Sequence, residues 1–272
     1  MSMKFKRLLP IPKEIREEMP LSAERAAERR PSTPRSLPCS PAKTTAGSSS
    51  SAPARQTAKM PSSITLPAWR RSPSVCARNS LSSRVSIPTS RAPRGTGYKG
   101  LLHNPDPEGP SDLLEGVKAI RRMHLRVVEE TGMFTADEML YPTNYQYLID
   151  VLAYIAVGAR SVENQEHRLV ASGVPMAIGM KNPTGGSTDV MLNSIYAAQQ
   201  PQTFIFRNWE VETTGNPLAH AVLRGYIGLD GINYPNYHYE YLHRLAAKYM
   251  TDDFKHPAAI IDCNHDNSGK KP

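Results

Sequence analysis

Between Arg29 and Pro105 the chain contains no aspartate or glutamate. The whole sequence of 272 residues carries 25 acidic side chains and a net charge of +8, so this gap divides it into parts of different chemistry. Cysteine is scarce: Cys39, Cys76 and Cys263 are an odd, scattered set. They exclude a disulfide framework and fit a reducing, cytoplasmic compartment. No apolar run approaches the length of a membrane-spanning helix. The N-terminus, MSMKFKRLLPIPKEIREEMP, lacks the continuous apolar stretch of a secretory signal. No GxGxxG follows a predicted strand, so a dinucleotide site has no support.

What is present falls into three segments. Residues 1–23 read as an entry segment whose Leu8, Leu9, Ile11 and Ile15 can pack on a body, with a helical turn or two over Lys13–Glu18. Residues 24–94 are rich in Ser, Pro and Arg, with sparse aliphatic residues in neither the helical nor the strand period. Such a segment buries too little apolar surface to offset its ordering entropy, and it is expected to be disordered. Three accounts compete. A nucleic-acid-binding tail would be basic, but here the arginines are scattered among prolines and Trp69 is the lone aromatic. A transit peptide is also Ser- and Arg-rich, but here the bias follows an acidic stretch with Glu14, Glu17, Glu18 and Glu24. The third account is a misread coding frame.

Residues 95–272 read as a folded α/β unit. Asp112 is placed to cap a helix, with Glu115 three residues on and Gly132 at its end. Between them Leu113, Leu114, Val117, Ile120, Met123, Val127 and Val128 keep helical spacing. Strands are expected near 134–139, 154–159, 176–180, 203–206, 219–223 and 258–262. Helices are expected near 145–152, 163–171, 190–198 and 239–250. This alternation predicts a parallel sheet with crossover helices, either a barrel or an open doubly wound sheet.

Predicted strands end repeatedly in charge: Glu138, Arg160, Lys181 and Arg224, with His265 shortly after the last strand. In a (β/α)8 barrel such ends meet at the active-site mouth. Three fixed cations there suit a phosphate- or carboxylate-bearing substrate. Taken singly, strand-end charges are solvated surface, and a lone histidine is more often structural than a ligand. Cys263, two residues before His265, is read as forming no ligand pair with it. Tyr237, His238 and Tyr239 read as a helix entry. Gly185 and Gly186, after Asn182 and Pro183, read as a turn.

Several stretches together resemble a known family: YKGLLHNPDPEG (98–109), ADEMLYPTNYQYL (136–148), VGARSVENQEHRLVASG (157–173), GMKNPTGG (179–186), NWEVETTGNPLAHAVLRG (208–225) and IDCNHDNSGK (261–270). They are similar to the first class of 3-deoxy-7-phosphoheptulonate synthases, and residues 3–23 resemble that family's N-terminal extension. The resemblance implies a (β/α)8 barrel, here incomplete. It implies a transferase of the shikimate pathway, the route to chorismate and the aromatic amino acids. Phosphoenolpyruvate would condense with erythrose 4-phosphate and release phosphate. Arg160, Lys181 and Arg224 would hold the phosphoenolpyruvate phosphate and carboxylate, and Gly158 and Ala159 would add backbone contacts. Glu138 would lie near the reacting carbons, with Lys181 beside it in the catalytic set. His265 matches the family's metal-binding histidine, and the cofactor would be a divalent transition metal ion polarising the sugar aldehyde. Family members are homo-oligomers of the cytoplasm, and the resemblance implies no nucleic-acid or membrane partner.

The sequence also departs from the family. Of the metal ligands Cys, His, Glu and Asp, only the histidine is present. The GPCS stretch of the first strand and the Arg-Val-Tyr and Lys-Pro-Arg-Thr-Thr stretches are missing before Gly95. The strands carrying the metal Glu and Asp are expected beyond His265. The codons permitted by Ser51–Gln56, read one base earlier, can encode Ile-Gly-Pro-Cys-Ser-Ala. Those of Ile87–Arg94 can encode His-Thr-Asn-Lys-Pro-Arg-Thr-Thr, joining directly to Gly95. Residues 24–94 therefore look like a family gene read out of frame, with Ala54 at the metal cysteine's place and Ser90 and Ala92 at those of a substrate-binding Lys and Arg. Three functions follow from the sequence: the synthase, a catalytically dead relic of it, or a basic-tailed nucleic-acid-binding module on a barrel fragment.

Overall fold

The computed structural model describes residues 3–29 and 99–270. The entry segment folds as two short helices, α1 (Pro12–Glu18) and α2 (Ala23–Glu28). Proline opens α1, where its missing N–H costs no hydrogen bond. Ile15 is fully buried, whereas Leu8 is exposed. Ser22 caps α2, and its N–H and hydroxyl reach Glu129 at 3.0 and 2.9 Å. The disorder expected from residue 24 is not met at residues 24–28. Residues 24–28 are helical because the Ser22 cap and the bond from Arg25 to the Glu129 carbonyl (3.2 Å) hold them on the body. Residues 30–94 of that tract, with the frame-shift reading and Ala54, Ser90 and Ala92, lie outside the described residues.

The long helix α3 (Leu113–Thr131) starts and stops where its sequence signals stand. The Asp112 carboxylate accepts from the N–H groups of Leu114 (3.0 Å) and Glu115 (3.1 Å). Gly132 closes the helix in the left-handed region, φ 69°, a conformation that costs glycine little. The buried stripe Val117, Ile120, Arg121, His124 and Val128 follows helical spacing.

The main sheet is all parallel. Its strands are β1 (Thr135–Glu138), β2 (Leu152–Val157), β3 (Ala177–Lys181), β6 (Ala219–Leu223) and β9 (Ala259–Ile261), adjacent in that order. Between them run α4 (Gln165–Ser172), α5 (Thr188–Gln199) and α6 (Tyr239–Tyr249). Ile155, Val157, Ile178, Met180, Ala221 and Leu223 alternate onto one face and join Met191, Ile195 and Ala198 of α5 in the core. The sheet has free edges at β1 and β9 among the described residues, which makes it an arc of a (β/α)8 barrel that does not close.

Two expected elements differ. The helix near 145–152 is a 3₁₀ turn, Asn144–Tyr147, and Leu152 already belongs to β2. The Val151 carbonyl accepts both the N–H and the hydroxyl of Thr135, each at 3.0 Å, which draws this stretch into the sheet. The strand near 203–206 leaves the main sheet. As β4 (Thr203–Phe206) it pairs antiparallel with β5 (Trp209–Glu212). Arg207 and Asn208 both take positive φ, 51° and 67°, as a two-residue hairpin turn requires. A second small hairpin, β7 (Tyr226–Ile227) with β8 (Asn233–Tyr234), was not foreseen.

Candidate functional site

Register decides which side chains meet. In a parallel pair, matched residues project to the same face. Glu138 matches Ala156, Val157 matches Met180, Lys181 matches Val222, and Leu223 matches Ile261. Extending each pairing by one residue puts Gly158 beside Lys181 and Arg224 beside Asp262. Glu138, Gly158, Lys181, Arg224 and Asp262 thus form a band on the face opposite the helices, at the carboxyl edge of the sheet. That edge is where barrels carry their chemistry.

Contacts within the band are close. Lys181 Nζ donates to Glu138 Oε2 at 2.8 Å. A Cβ on Gly158 would fall on Glu138 Oε1 and 3.1 Å from its Cδ, so the glycine makes room for the carboxylate. His265 Nδ1 lies 2.8 Å from Asp262 Oδ2, an orienting contact for the ring. Burial raises the Asp262 carboxyl, but the bonds from His265 and the Asn264 N–H, with the charges of His265 and Lys181, outweigh it. The net shift is below the ordinary carboxylate range. Below the band, Tyr154 OH and His220 Nε2 lie 3.0 Å apart, and His220 Nδ1 is 2.8 Å from the Leu218 carbonyl. Desolvation pushes the Tyr154 phenol up and the His220 imidazolium down, so this layer is neutral.

Arg224 is set in a buried frame. Its N–H donates to Asn182 Oδ1 (2.9 Å), and Asn236 Nδ2 donates to the same oxygen (3.0 Å). Its carbonyl accepts from the N–H groups of Asp266 and Asn267, both at 3.1 Å. Its Nη1 lies 2.7 Å from Asp266 Oδ2, with 6% and 1% of the two side chains exposed. The two charges touch without hydrogen-bond alignment, since Nη1 and both Asp266 oxygens lack an aligned partner.

The structure therefore brings Glu138, Gly158, Lys181 and Arg224 to one face, with His265 at its rim. Ala159 and Arg160 lie in the turn after β2, where Ser161 N–H bonds the Gly158 carbonyl (2.9 Å). Arg160 is exposed and forms no ion pair among the described residues. Cys263 is exposed just past the end of β9 and forms no pair with His265. His238 immediately precedes α6 without a capping side-chain bond, and the Gly186 N–H closes a turn onto the Pro183 carbonyl (2.9 Å). Sequence reasoning missed Asp262, Asp266, Asn182 and Asn236. The Asp-x-x-His spacing of Asp262 and His265 was the available signal; the asparagines gave none, because their role is to bond backbone from distant segments. The recess lined by Leu102, Ile120, Met139, Tyr145 and Leu148 is apolar and meets the band only at Glu138.

A divalent metal ion needs several converging donors. His265, braced through Nδ1, is a suitable first ligand. No group of three or more His, Cys, Asp or Glu that could hold a metal ion occurs among the described residues. The described donor set does not by itself fit a transition metal.

Comparison with known proteins bears on residues 91–271, which match the profile of the DAHP synthetase I family. A putative phospho-2-dehydro-3-deoxyheptonate aldolase of Schizosaccharomyces pombe is 37% identical over 184 residues, 65% of this chain and 48% of the relative. The Tyr-sensitive phospho-2-dehydro-3-deoxyheptonate aldolase of Escherichia coli is 37% identical over 184 residues, 65% of this chain and 49% of the relative. The solved structure of phospho-2-dehydro-3-deoxyheptonate aldolase from Francisella tularensis superposes with a TM-score of 0.60 at 30% identity, covering 69% of this chain and 53% of that one. The chain spans about half the length of the curated relatives it matches.

Proposed function

The chain belongs to the DAHP synthetase I family, and from that premise we propose that its sheet edge is the phosphoenolpyruvate side of a 3-deoxy-7-phosphoheptulonate synthase site. The observation that carries the reading is the band itself: Lys181 and Arg224 on one face, with Arg160 in the adjoining turn. In this reading Arg224 offers its guanidinium fork and Lys181 its ammonium to the phosphate and carboxylate of phosphoenolpyruvate. Arg160 adds a third cation from the turn, and Gly158 and Ala159 add backbone contacts. Glu138 holds Lys181 in place and lies near the reacting carbons. The enol carbon of phosphoenolpyruvate attacks the aldehyde of erythrose 4-phosphate, and water adding at the former enol C2 expels phosphate. His265 would offer one imidazole to a divalent transition ion as cofactor, whose further ligands do not occur among the described residues. A cytoplasmic homo-oligomer that binds neither nucleic acid nor membrane completes the proposal. Among the described residues no helix is long and apolar enough to cross a membrane.

The catalytically dead relic is the second reading. It draws support from the described residues, which hold no group of three or more His, Cys, Asp or Glu that could bind a metal ion. The experiment is to give the purified full chain both substrates and a panel of divalent metals, following the seven-carbon product and released phosphate. Product formation sinks the relic reading. Phosphoenolpyruvate binding without product sinks the synthase reading and leaves the anion site. Binding of neither substrate sinks the synthase reading and the anion site together and leaves the relic.

A further inference from the structure

Asp266 is the most buried charged group next to the cations, and the proposed mechanism gives it no task. Only 1% of its side chain is exposed, and neither carboxylate oxygen has an aligned hydrogen-bond donor. Its two nearest cations are Arg224 Nη1 at 2.7 Å and Lys270 Nζ at 3.5 Å. Lys270 is well exposed, 59%, so its hold is screened by solvent. The buried partner is Arg224. The backbone joins the same two residues a second time, through the Asp266 N–H on the Arg224 carbonyl at 3.1 Å. The short 3₁₀ turn that carries Asp266 (His265–Asn267) is thus fixed to the end of β6 by main chain and side chain together.

We propose that Asp266 is a positioning residue for Arg224, which grips the anion; the proposal rests on the phosphoenolpyruvate reading of the site. A guanidinium grips a phosphate or carboxylate by a planar fork, and the grip depends on how the plane is turned. Among the described residues, Arg224 is bonded to backbone and amide groups only through its own main chain. Among the described residues its side chain meets one counter-charge, Asp266 Oδ2. The carboxylate therefore fixes one edge of the guanidinium, and Nε and Nη2 remain for the substrate. The same charge also opposes an incoming anion. Orientation outweighs that opposition here, because an unpaired guanidinium at this depth would turn toward water and leave the band.

The test is phosphoenolpyruvate affinity of the full chain, measured by titration calorimetry beside a thermal melt. Asp266→Glu keeps the charge and moves the carboxylate by one methylene. Asp266→Asn keeps the shape and removes the charge. The expected result is binding weakened about tenfold in each, the scale of one misdirected ion contact to the substrate. A cooperatively melting Asp266→Glu or Asp266→Asn that binds as tightly as the parent overturns the proposal, the carboxylate then being only a counter-charge. A structural role alone would lower affinity in any background. The second comparison is therefore Arg224→Gln against Arg224→Gln with Asp266→Asn. Arg224→Gln by itself leaves the Asp266 charge buried alone and the double variant does not, so a double variant that melts cooperatively where the single variants do not shows the pair to be structural and overturns the proposal. Equal affinities there support positioning through Arg224, and a further loss overturns it. A parent chain that binds no phosphoenolpyruvate overturns the site reading and this proposal together. Binding by the parent with unchanged affinity in the variants removes this proposal alone.

Discussion

Replacing Gly158 with alanine tests the packing of the band at its tightest point. The backbone accepts the change, since Gly158 is not among the positive-φ glycines. Taken alone, glycine to alanine at such a position stabilises by about 0.4–1 kcal/mol through the unfolded chain. The new methyl, however, falls on Glu138 Oε1 and lies 3.1 Å from Glu138 Cδ. Glu138 must swing away and lose its 2.8 Å bond to Lys181, whose side chain is 11% exposed. Overpacking of this kind costs about 1–3 kcal/mol, and the lower half applies because the displaced group is a flexible side-chain end. The net expectation is a loss of about 1 kcal/mol, a fall in Tm of about 2–4 °C at this chain length. The sharper readout is a double-mutant cycle with Glu138→Ala. Without the carboxylate the clash is gone, so Gly158→Ala becomes neutral or stabilising, and the two sites couple by about 1–2 kcal/mol. Urea unfolding of the four proteins measures it. Strictly additive effects would refute the claim that Gly158 exists to admit Glu138.

Two further predictions concern stability. Arg121, fully buried, donates to both Asp150 oxygens at 2.7 Å, to the Met19 carbonyl at 2.8 Å and to the Tyr147 carbonyl at 2.9 Å. Arg121→Met strands all of these acceptors and removes one of the ties between the entry segment and α3, the Ser22 and Arg25 bonds to Glu129 remaining. The expected loss is about 3 kcal/mol in urea unfolding, and a loss below about 1 kcal/mol would show that the guanidinium is not the tie. His124 is buried against Thr135 Oγ1 at 2.6 Å, and desolvation, helped by the Arg121 charge, lowers its pKa from 6.5 to about 4. Between these values the unfolded chain binds a proton that the folded chain refuses. Stability is therefore full above pH 6.5 and falls toward pH 4, by about 3 kcal/mol for this group. His124→Gln should remove that slope, and an unchanged profile in the variant would assign the slope to other groups.

Some of this molecule was written in its sequence. Asp112 and Gly132 mark the ends of α3 because a cap and a left-handed stop are local requirements, met by residues a few positions apart. The charges Glu138, Lys181 and Arg224 at the ends of β1, β3 and β6 were visible as well, whereas β2 ends at Val157 and leaves Arg160 in the turn beyond it. Other features were not local. The segment 145–152 carries a helical pattern, yet the Thr135 bonds to Val151 pull it into a turn and strand. The 203–206 strand left the main sheet for a hairpin with β5. The sequence by itself determined the parallel α/β class and the cations Arg160, Lys181 and Arg224. Only the tertiary structure decided that Lys181 is bound to Glu138, that Gly158 makes room for that carboxylate, and that Asp266 faces Arg224. The physical reason is register: pairing strands distant in sequence sets which side chains share a face, and no local pattern records that choice.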